Sequence, residues 1–274
     1  MPLHQPVLLK EITRLFQPGP GKIFIDATLG NGGHSLKLLQ AGAKVYAFEF
    51  DPENIKVVQK RIHHPNLTII NDNFSHINHY FNFKVNGILF DLGLSINQQK
   101  AQGRGFSFND ALSLDMRLNP QQQTLTAQKI VNTYSQKELF DLFSKYAQEK
   151  NSHLISQLII KNRPFNNALQ LADLVRTNLP RRGKIDPATK VFLALRIAVN
   201  DEFNNLQTAL ELTLDLVKPG GRVVIITFHS SEDRIVKNFI RRHRLTSCLI
   251  KPGLEEIKQN PLARSAILRS YTID

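Results

Sequence analysis

The chain has no tryptophan, a single cysteine and few acids for its length. A lone Cys248 excludes an internal disulfide and suits a reducing cytoplasm. No apolar run approaches the roughly 20 residues that a membrane span needs. The opening Met1-Pro2-Leu3-His4-Gln5-Pro6 lacks the basic start and apolar stretch of a secretory signal. The nine histidines are scattered, and His63-His64 lies on a polar turn without partner ligands at metal spacing, so no metal site is read. Asp and Glu number 23 against 35 Lys and Arg, a formal charge of +12. That imbalance favours a polyanionic partner, most commonly nucleic acid, although a generally basic proteome gives the same excess.

What is present fits a soluble globular protein of 274 residues, with one large domain or two. Its centre is Asp26-Ala27-Thr28-Leu29-Gly30-Asn31-Gly32-Gly33-His34-Ser35. A short apolar run, Ile23-Phe24-Ile25, precedes it, and the helical spacing of Leu36, Leu38 and Leu39 follows. Strand, glycine turn, helix is the opening of a doubly wound sheet that holds a nucleotide-like ligand. Glycine is needed where backbone approaches a ligand or takes positive φ, and the helix start offers free N–H groups.

Around that turn the pattern alternates. A helix is predicted over 4–16, stopped by Pro18-Gly19-Pro20-Gly21, and strands over Lys44–Phe50, Leu67–Ile70 and Val85–Asp91. Asp51-Pro52 is a helix start with Asp as N-cap. The order predicts a parallel sheet buried on both faces. From about Gly105 to Asn200 the periodicity is helical, with helices over 135–146, 152–161 and 169–179. The α/β pattern then resumes with a helix over 201–217, a turn at Lys218-Pro219-Gly220-Gly221 and a strand over 222–228. Ser230, with Asp233 three residues on, reads as the next helix cap. Ser247–Ile250 and Ala266–Tyr271 are candidate edge strands. The expected division is 1–104 as the first part of an α/β domain, 105–200 as an all-helical insert for substrate recognition, and 201–274 as the second part.

The ligand is open at this level. Ser35 stands where a dinucleotide fingerprint has its third glycine. Glu49, at the end of strand two, can accept both hydroxyls of a ribose. Both S-adenosylmethionine and a nicotinamide dinucleotide satisfy that placement. Gly30 and Gly32 could equally serve only a tight turn, and Glu49 or Asp51 only cap a helix.

Several stretches narrow the choice. They are His4-x-Pro6-Val7-Leu8-Leu9-x-Glu11, the Asp26–Ser35 turn, Asp91-Leu92-Gly93-x-Ser95-x-x-Gln98, Arg104-Gly105-Phe106-Ser107-Phe108 and Leu114-Asp115-Met116-Arg117. Pro187-Ala188-Thr189, Ala194-Leu195-Arg196-Ile197-x-Val199-Asn200, Phe228-His229-Ser230-x-Glu232-Asp233-Arg234-Ile235-Val236-Lys237 and Asn260-Pro261-x-Ala263-Arg264-Ser265 follow. Together they resemble, in order and from end to end, the MraW-type methyltransferases, which methylate the exocyclic N4 of a cytosine in the decoding region of small-subunit (16S) ribosomal RNA.

The resemblance implies a Rossmann-like S-adenosylmethionine-dependent sheet with a helical insert, a cytoplasmic enzyme, and the small-subunit RNA or the subunit itself as partner. It also implies that Gly30, Gly32, Gly33 and His34 cradle the methionine end of S-adenosyl-L-methionine. It puts Glu49 on the ribose, Phe74 beside the adenine, and Asp91 and Gln98 on the cofactor and substrate pocket. Glu49 stands where the family usually has Asp. Ile96 replaces a second serine, and Ala111-Leu112-Ser113 replaces a segment with a Gly-Pro pair.

Chemically, a cytosine amino group is a poor nucleophile because its lone pair is delocalised into the ring. Acceptors aimed at its protons hold it and favour the pyramidal geometry that frees the pair. Asp91, at the end of strand four, is placed by topology for that work, with Ser95 as a second acceptor. A cap of the following turn is the plain alternative for Asp91. His229 is a candidate for base contact or proton acceptance, with a structural histidine as its alternative. Arg104, Arg117, Lys184, Lys190, Arg196, Arg234, Lys237 and Arg264 are candidate RNA contacts, with Phe106 and Phe108 as stacking partners. Asp115 and Arg117 are read as a domain-joining ion pair or an RNA contact. A non-catalytic RNA-binding relative and, behind it, a nicotinamide-dependent oxidoreductase are the competing readings. DNA amino-group methylation ranks lower, since no Pro-Pro-Tyr/Phe follows the strand-four acid.

Overall fold

The computed structural model describes residues 6–181, 183 and 185–274. His4 and Lys184, singled out above, lie outside the described residues. Contacts divide the chain into two compact units: Met1–Ser95 with Phe203–Asp274, and Ile96–Glu202. Helical periodicity alone starts the insert nine residues later.

The first unit opens with α1 (Leu9–Phe16), β1 (Ile23–Asp26), α2 (Gly33–Gln40), β2 (Lys44–Phe48), α3 (Pro52–Gln59), β3 (Leu67–Ile70) and β4 (Val85–Asp91). The first helix begins at Leu9 rather than near residue 4, because Leu8 takes a left-handed conformation at φ 55°. The second unit holds α4 (Ile96–Lys100), α5 (Ala127–Thr133), α6 (Gln136–Ala147), α7 (Ser152–Lys161), α8 (Ala168–Asn178) and α9 (Thr189–Asn200). After α10 (Glu202–Leu216) come β5 (Val217–Thr227), α11 (Ser230–Arg242), β6 (Ser247–Ile250), α12 (Leu254–Gln259) and β7 (Ile267–Thr272).

The seven strands lie in the order β3-β2-β1-β4-β5-β7-β6. The first five are mutually parallel, while β7 runs antiparallel to both β5 and β6. The expected turn Lys218–Gly221 is an irregularity inside β5, where pairing with β4 jumps from Val85↔Val217 to Gly87↔Arg222. Side chains alternate between two cores, as a sheet buried on both faces requires. Ile25, Ile88, Phe90, Val223 and Ile225 enter one; Phe24, Leu89, Val224 and Ile226 enter the other. The chain reverses direction across the sheet between β1 and β4, the crevice where doubly wound sheets place ligands. No helix among the described residues is long and apolar enough to cross a membrane.

The helical unit has its own core, including Leu139, Phe143, Ile155, Ile159, Leu171 and Leu195. Its irregular segment before α5 is tied to the end of α9 by Asn200. The Asn200 Oδ1 accepts from Leu118 N and Gln123 Nε2, both at 3.0 Å, and its Nδ2 donates to Met116 O at 2.8 Å and Arg196 O at 2.9 Å. Alanine there strands buried backbone groups without partners. Asn200→Ala is therefore expected to cost about 2–4 kcal/mol, read as a lowered midpoint in urea unfolding.

Candidate active site

The glycine turn is braced from beneath. Asp26 is buried at the end of β1, its Oδ2 accepting from Ser35 Oγ at 2.6 Å and its Oδ1 from Thr28 N at 3.2 Å. Burial pushes the Asp26 carboxyl up, opposed by those hydrogen bonds and by His34. Gly32 caps α2 with φ 77°, and a Cβ there would stand 2.5 Å from Ile62 Cδ1. A Cβ on Gly33 would collide with Pro6 Cγ. The turn therefore needs glycine at Gly32 for conformation and space, and at Gly33 for space. Gly32→Ala is expected to cost about 1–2 kcal/mol, read by thermal unfolding without ligand.

Glu49 follows β2 directly and is buried. Its Oε1 accepts from Asp51 N at 2.9 Å and its Oε2 from Asn54 Nδ2 at 2.7 Å. Asn54 Nδ2 also donates to Gly30 O at 2.7 Å, so one side chain ties the acid to the turn. Burial pushes the Glu49 carboxyl up to about 7, against the pull of those hydrogen bonds. Asp51 is the N-cap of α3, accepting from Glu53 N and Asn54 N, as its Asp-Pro sequence predicts. Asn54 and the Asp26–Ser35 brace were not picked out from sequence. The available signal was Asn54's place three residues after the cap, on the turn that faces back to β2.

Asp91 ends β4. Its N–H donates to Thr28 Oγ1 at 2.6 Å, which fixes it beside the glycine turn. Its Oδ2 lies 3.4 Å from Nε2 of the buried His34, while its Oδ1 is buried and has no hydrogen-bond partner among the described residues. Phe74 is half-buried, edge-on to Phe90 with ring centroids 5.6 Å apart. Ser95 closes the first stretch of this unit. Gln98, buried, belongs to α4 of the helical unit.

His229 is the N-cap of α11, correcting the cap expected at Ser230. Its Nδ1 accepts from Glu232 N at 3.4 Å, and the Glu232 carboxylate accepts from Phe228 N and His229 N. The other ring nitrogen, Nε2, lies 3.0 Å from Glu232 Oε1. This is the structural role weighed as the alternative for His229.

Most of the basic and aromatic candidates in the helical unit are spent on its own packing. Phe106 and Phe108 pack against its core, and Phe108 meets Phe192 edge-on at 4.8 Å. Arg104 donates to Arg117 O and Leu118 O. Arg117 forms a two-pronged pair with Asp115, both contacts 2.7 Å, and donates to Gln123 O. Both partners lie in one unit, so the pair does not join domains. Lys190 donates to Gln148 O, and Arg196 pairs with Glu202 through two hydrogen bonds. Arg234, Lys237 and Arg264, all in the first unit, are exposed.

A glycine turn after β1, an acid after β2 and an acid after β4, on this strand order, define the α/β domain of an S-adenosylmethionine-dependent methyltransferase. A solved methylase structure from Clostridium thermocellum superposes with a TM-score of 0.50 over 99% of both chains, at 12% identity, a likeness of fold alone. The model of the MraW methylase family matches residues 1–248. Ribosomal RNA small subunit methyltransferase H of Dictyoglomus thermophilum is 41% identical over 285 residues, covering 97% of this chain and 95% of that protein. The protein of the same name from Coprothermobacter proteolyticus is 38% identical, covering 98% and 95%. The chain belongs to the MraW methylase family. It is an enzyme, and its methyl donor is S-adenosylmethionine.

The site fits that donor. A buried acid able to take a ribose diol, the half-buried Phe74 ring and a helix N-terminus behind glycines match its diol, adenine and carboxylate.

Proposed function

We propose that the protein methylates N4 of a cytosine in small-subunit (16S) ribosomal RNA, near the decoding site, and that it works in the cytoplasm where that RNA is found. The observation that carries the reading is Asp91 Oδ1, a buried acceptor without a partner among the described residues, at the β1–β4 crevice. S-Adenosylmethionine, when bound, supplies a methyl group made electrophilic by its sulfonium.

The chain's own residues do the rest. Gly30, Gly32, Gly33 and the start of α2 receive the methionine end, Glu49 accepts the ribose hydroxyls, and Phe74 flanks the adenine. Asp91 Oδ1 accepts an N4 proton, orients the amino group and favours its pyramidal form. Ser95, in the same unit as Asp91, is the second acceptor. Arg234, Lys237 and Arg264, exposed on the first unit, offer positive charge to phosphates. The target base has to leave its stack to reach a buried acceptor, so a single-stranded or flipped nucleotide is the substrate form.

The test is mass mapping of small-subunit RNA from cells with and without the protein. Loss of a single methyl mass at one cytidine is expected, and its restoration by the purified enzyme with labelled donor. An unchanged map, with no labelling of RNA or subunits at any assembly stage, would leave the RNA-binding reading in its place.

A further inference from the structure

The outward face of α11 is a row of positive charge with no acid in it. At about 100° per residue, Ser230, Arg234, Lys237 and Arg241 fall within about 60° of arc on that helix, and all four are exposed. The two acids of the helix are committed elsewhere: Glu232 is buried and closes the cap, and Asp233 pairs with Arg269 at 2.6 and 3.0 Å. Arg242, off the arc, pairs with Glu211. Lys237, Arg241 and Arg244 make no ion pair among the described residues. The helical unit is different, since its Arg117, Arg176 and Arg196 are each matched to a carboxylate. Arg244, two residues past the helix end, has φ 53°, a left-handed backbone that glycine adopts at less cost.

The row has a direction. Ile226 of β5 is in register with Asp91, so α11 starts one strand away from the acceptor, at the same edge of the sheet. From Arg234 to Arg244 the cations lead away from the crevice for about 15 Å, roughly one per turn, a spacing like that of successive phosphates along a strand. We propose that the RNA strand flanking the target cytosine leaves the crevice along α11, its phosphates tracked by Lys237, Arg241 and Arg244. The inference rests on the reading of RNA as the substrate. Phosphate contacts fix register and orientation without reading sequence, so the row acts on RNA binding and not on the methyl-transfer step.

Steady-state methylation of small-subunit RNA, free and assembled, tests the track. Arg241→Glu with Arg244→Glu is expected to raise KM for RNA at least about tenfold, with kcat within about twofold and calorimetric affinity for S-adenosylhomocysteine unchanged. Lys60→Glu with Arg61→Glu makes the same charge change on exposed residues at the end of α3, and is expected to raise KM less than about threefold. The neutral pair Arg241→Gln with Arg244→Gln is expected to lessen the slope of log affinity against log salt by about 1.4, the value for two single-strand phosphate contacts. Arg244→Gly separates binding from folding, because it is expected to weaken RNA binding while holding or raising the thermal midpoint.

Equal KM changes from the two charge-reversed pairs would overturn the proposal, since net charge alone would account for them, as would a salt slope unaltered in the glutamine pair. An unchanged KM would overturn it too: a lowered thermal midpoint would then make these residues supports of the helix end, and lost binding to vesicles half of phosphatidylglycerol would assign the row to an anionic membrane. No labelling of RNA or subunits by the wild type would instead remove the substrate reading on which the inference rests.

Discussion

Asp91→Ala is expected to lower methyl transfer by about a thousandfold at saturating donor. The cytosine N4 lone pair is conjugated with the ring, and the enzyme has to hold the amino group in a geometry where the pair can attack. Asp91 Oδ1 is buried and without a partner among the described residues, so its acceptor strength is available for an N4 proton. Removing it costs both orientation and the charge that stabilises the developing positive nitrogen. Asp91→Asn is informative because it keeps the shape. It has a neutral carbonyl and an amino group, and if the amino group faces the base the two donors oppose each other, so its rate is also expected to fall at least a hundredfold. Single-turnover labelling of small-subunit RNA measures both, and equal labelling by wild type and Asp91→Ala would exclude Asp91 from the chemistry.

The second large effect concerns Glu49 and has opposite signs for stability and for binding. The folded protein holds the Glu49 proton up to about pH 7, against an ordinary value of 4.5. The stability linked to this group is therefore fully present below pH 4.5 and is lost as pH rises through 7. At pH 8 a buried carboxylate is being kept charged, at a cost with a ceiling of about 3 kcal/mol. Glu49→Gln removes that cost, so the donor-free variant is expected to be more stable than wild type at pH 8 and close to it at pH 5. Urea unfolding at the two pH values checks this. Binding runs the other way, since ribose hydroxyls donate best to an ionised acceptor. Wild-type affinity for S-adenosylhomocysteine is expected to fall as pH drops below about 7, while Glu49→Gln binds weakly at every pH. A Glu49→Gln protein whose affinity still follows that titration would remove Glu49 from the ribose.

Much of this site was legible because it lies on short-range patterns. The Asp26–Ser35 turn, the acid after β2, the Asp51-Pro52 cap and the acid after β4 each follow from a strand ending where a ligand crevice forms. The cap of α11 shows where such patterns fail. His229–Glu232 and Ser230–Asp233 both have cap spacing, and sequence favours the serine. Asp233, however, pairs with Arg269 on β7 at 2.6 and 3.0 Å, a partner 36 residues away, and Glu232 is left to close the cap. The basic residues mislead for the same reason. Arg117 with Asp115 and Arg196 with Glu202 lie at separations of two and six residues, which no helical rule pairs. The sequence already allowed Asp115 and Arg117 an ion pair, but offered it as one between domains, and Arg196 read as an RNA contact until the fold brought Glu202 close. Asn54 likewise joins Glu49 to Gly30 across loops separated in sequence, a contact invisible without the sheet.

The unit that carries the acceptor is assembled from both ends of the chain, and this sets the timing of its birth. β4 needs β5 as its neighbour, and 125 residues, most of them in the helical unit, are synthesised between Asp91 and Val217. At ordinary elongation rates that is roughly 10 s during which one edge of an apolar strand, with Ile88, Leu89 and Phe90, waits unpaired. The helical unit closes its own core within one continuous stretch and can fold during that delay. A nascent chain paused before residue 217 therefore carries a finished helical module beside an open sheet edge, the form most exposed to aggregation and most in need of chaperone cover.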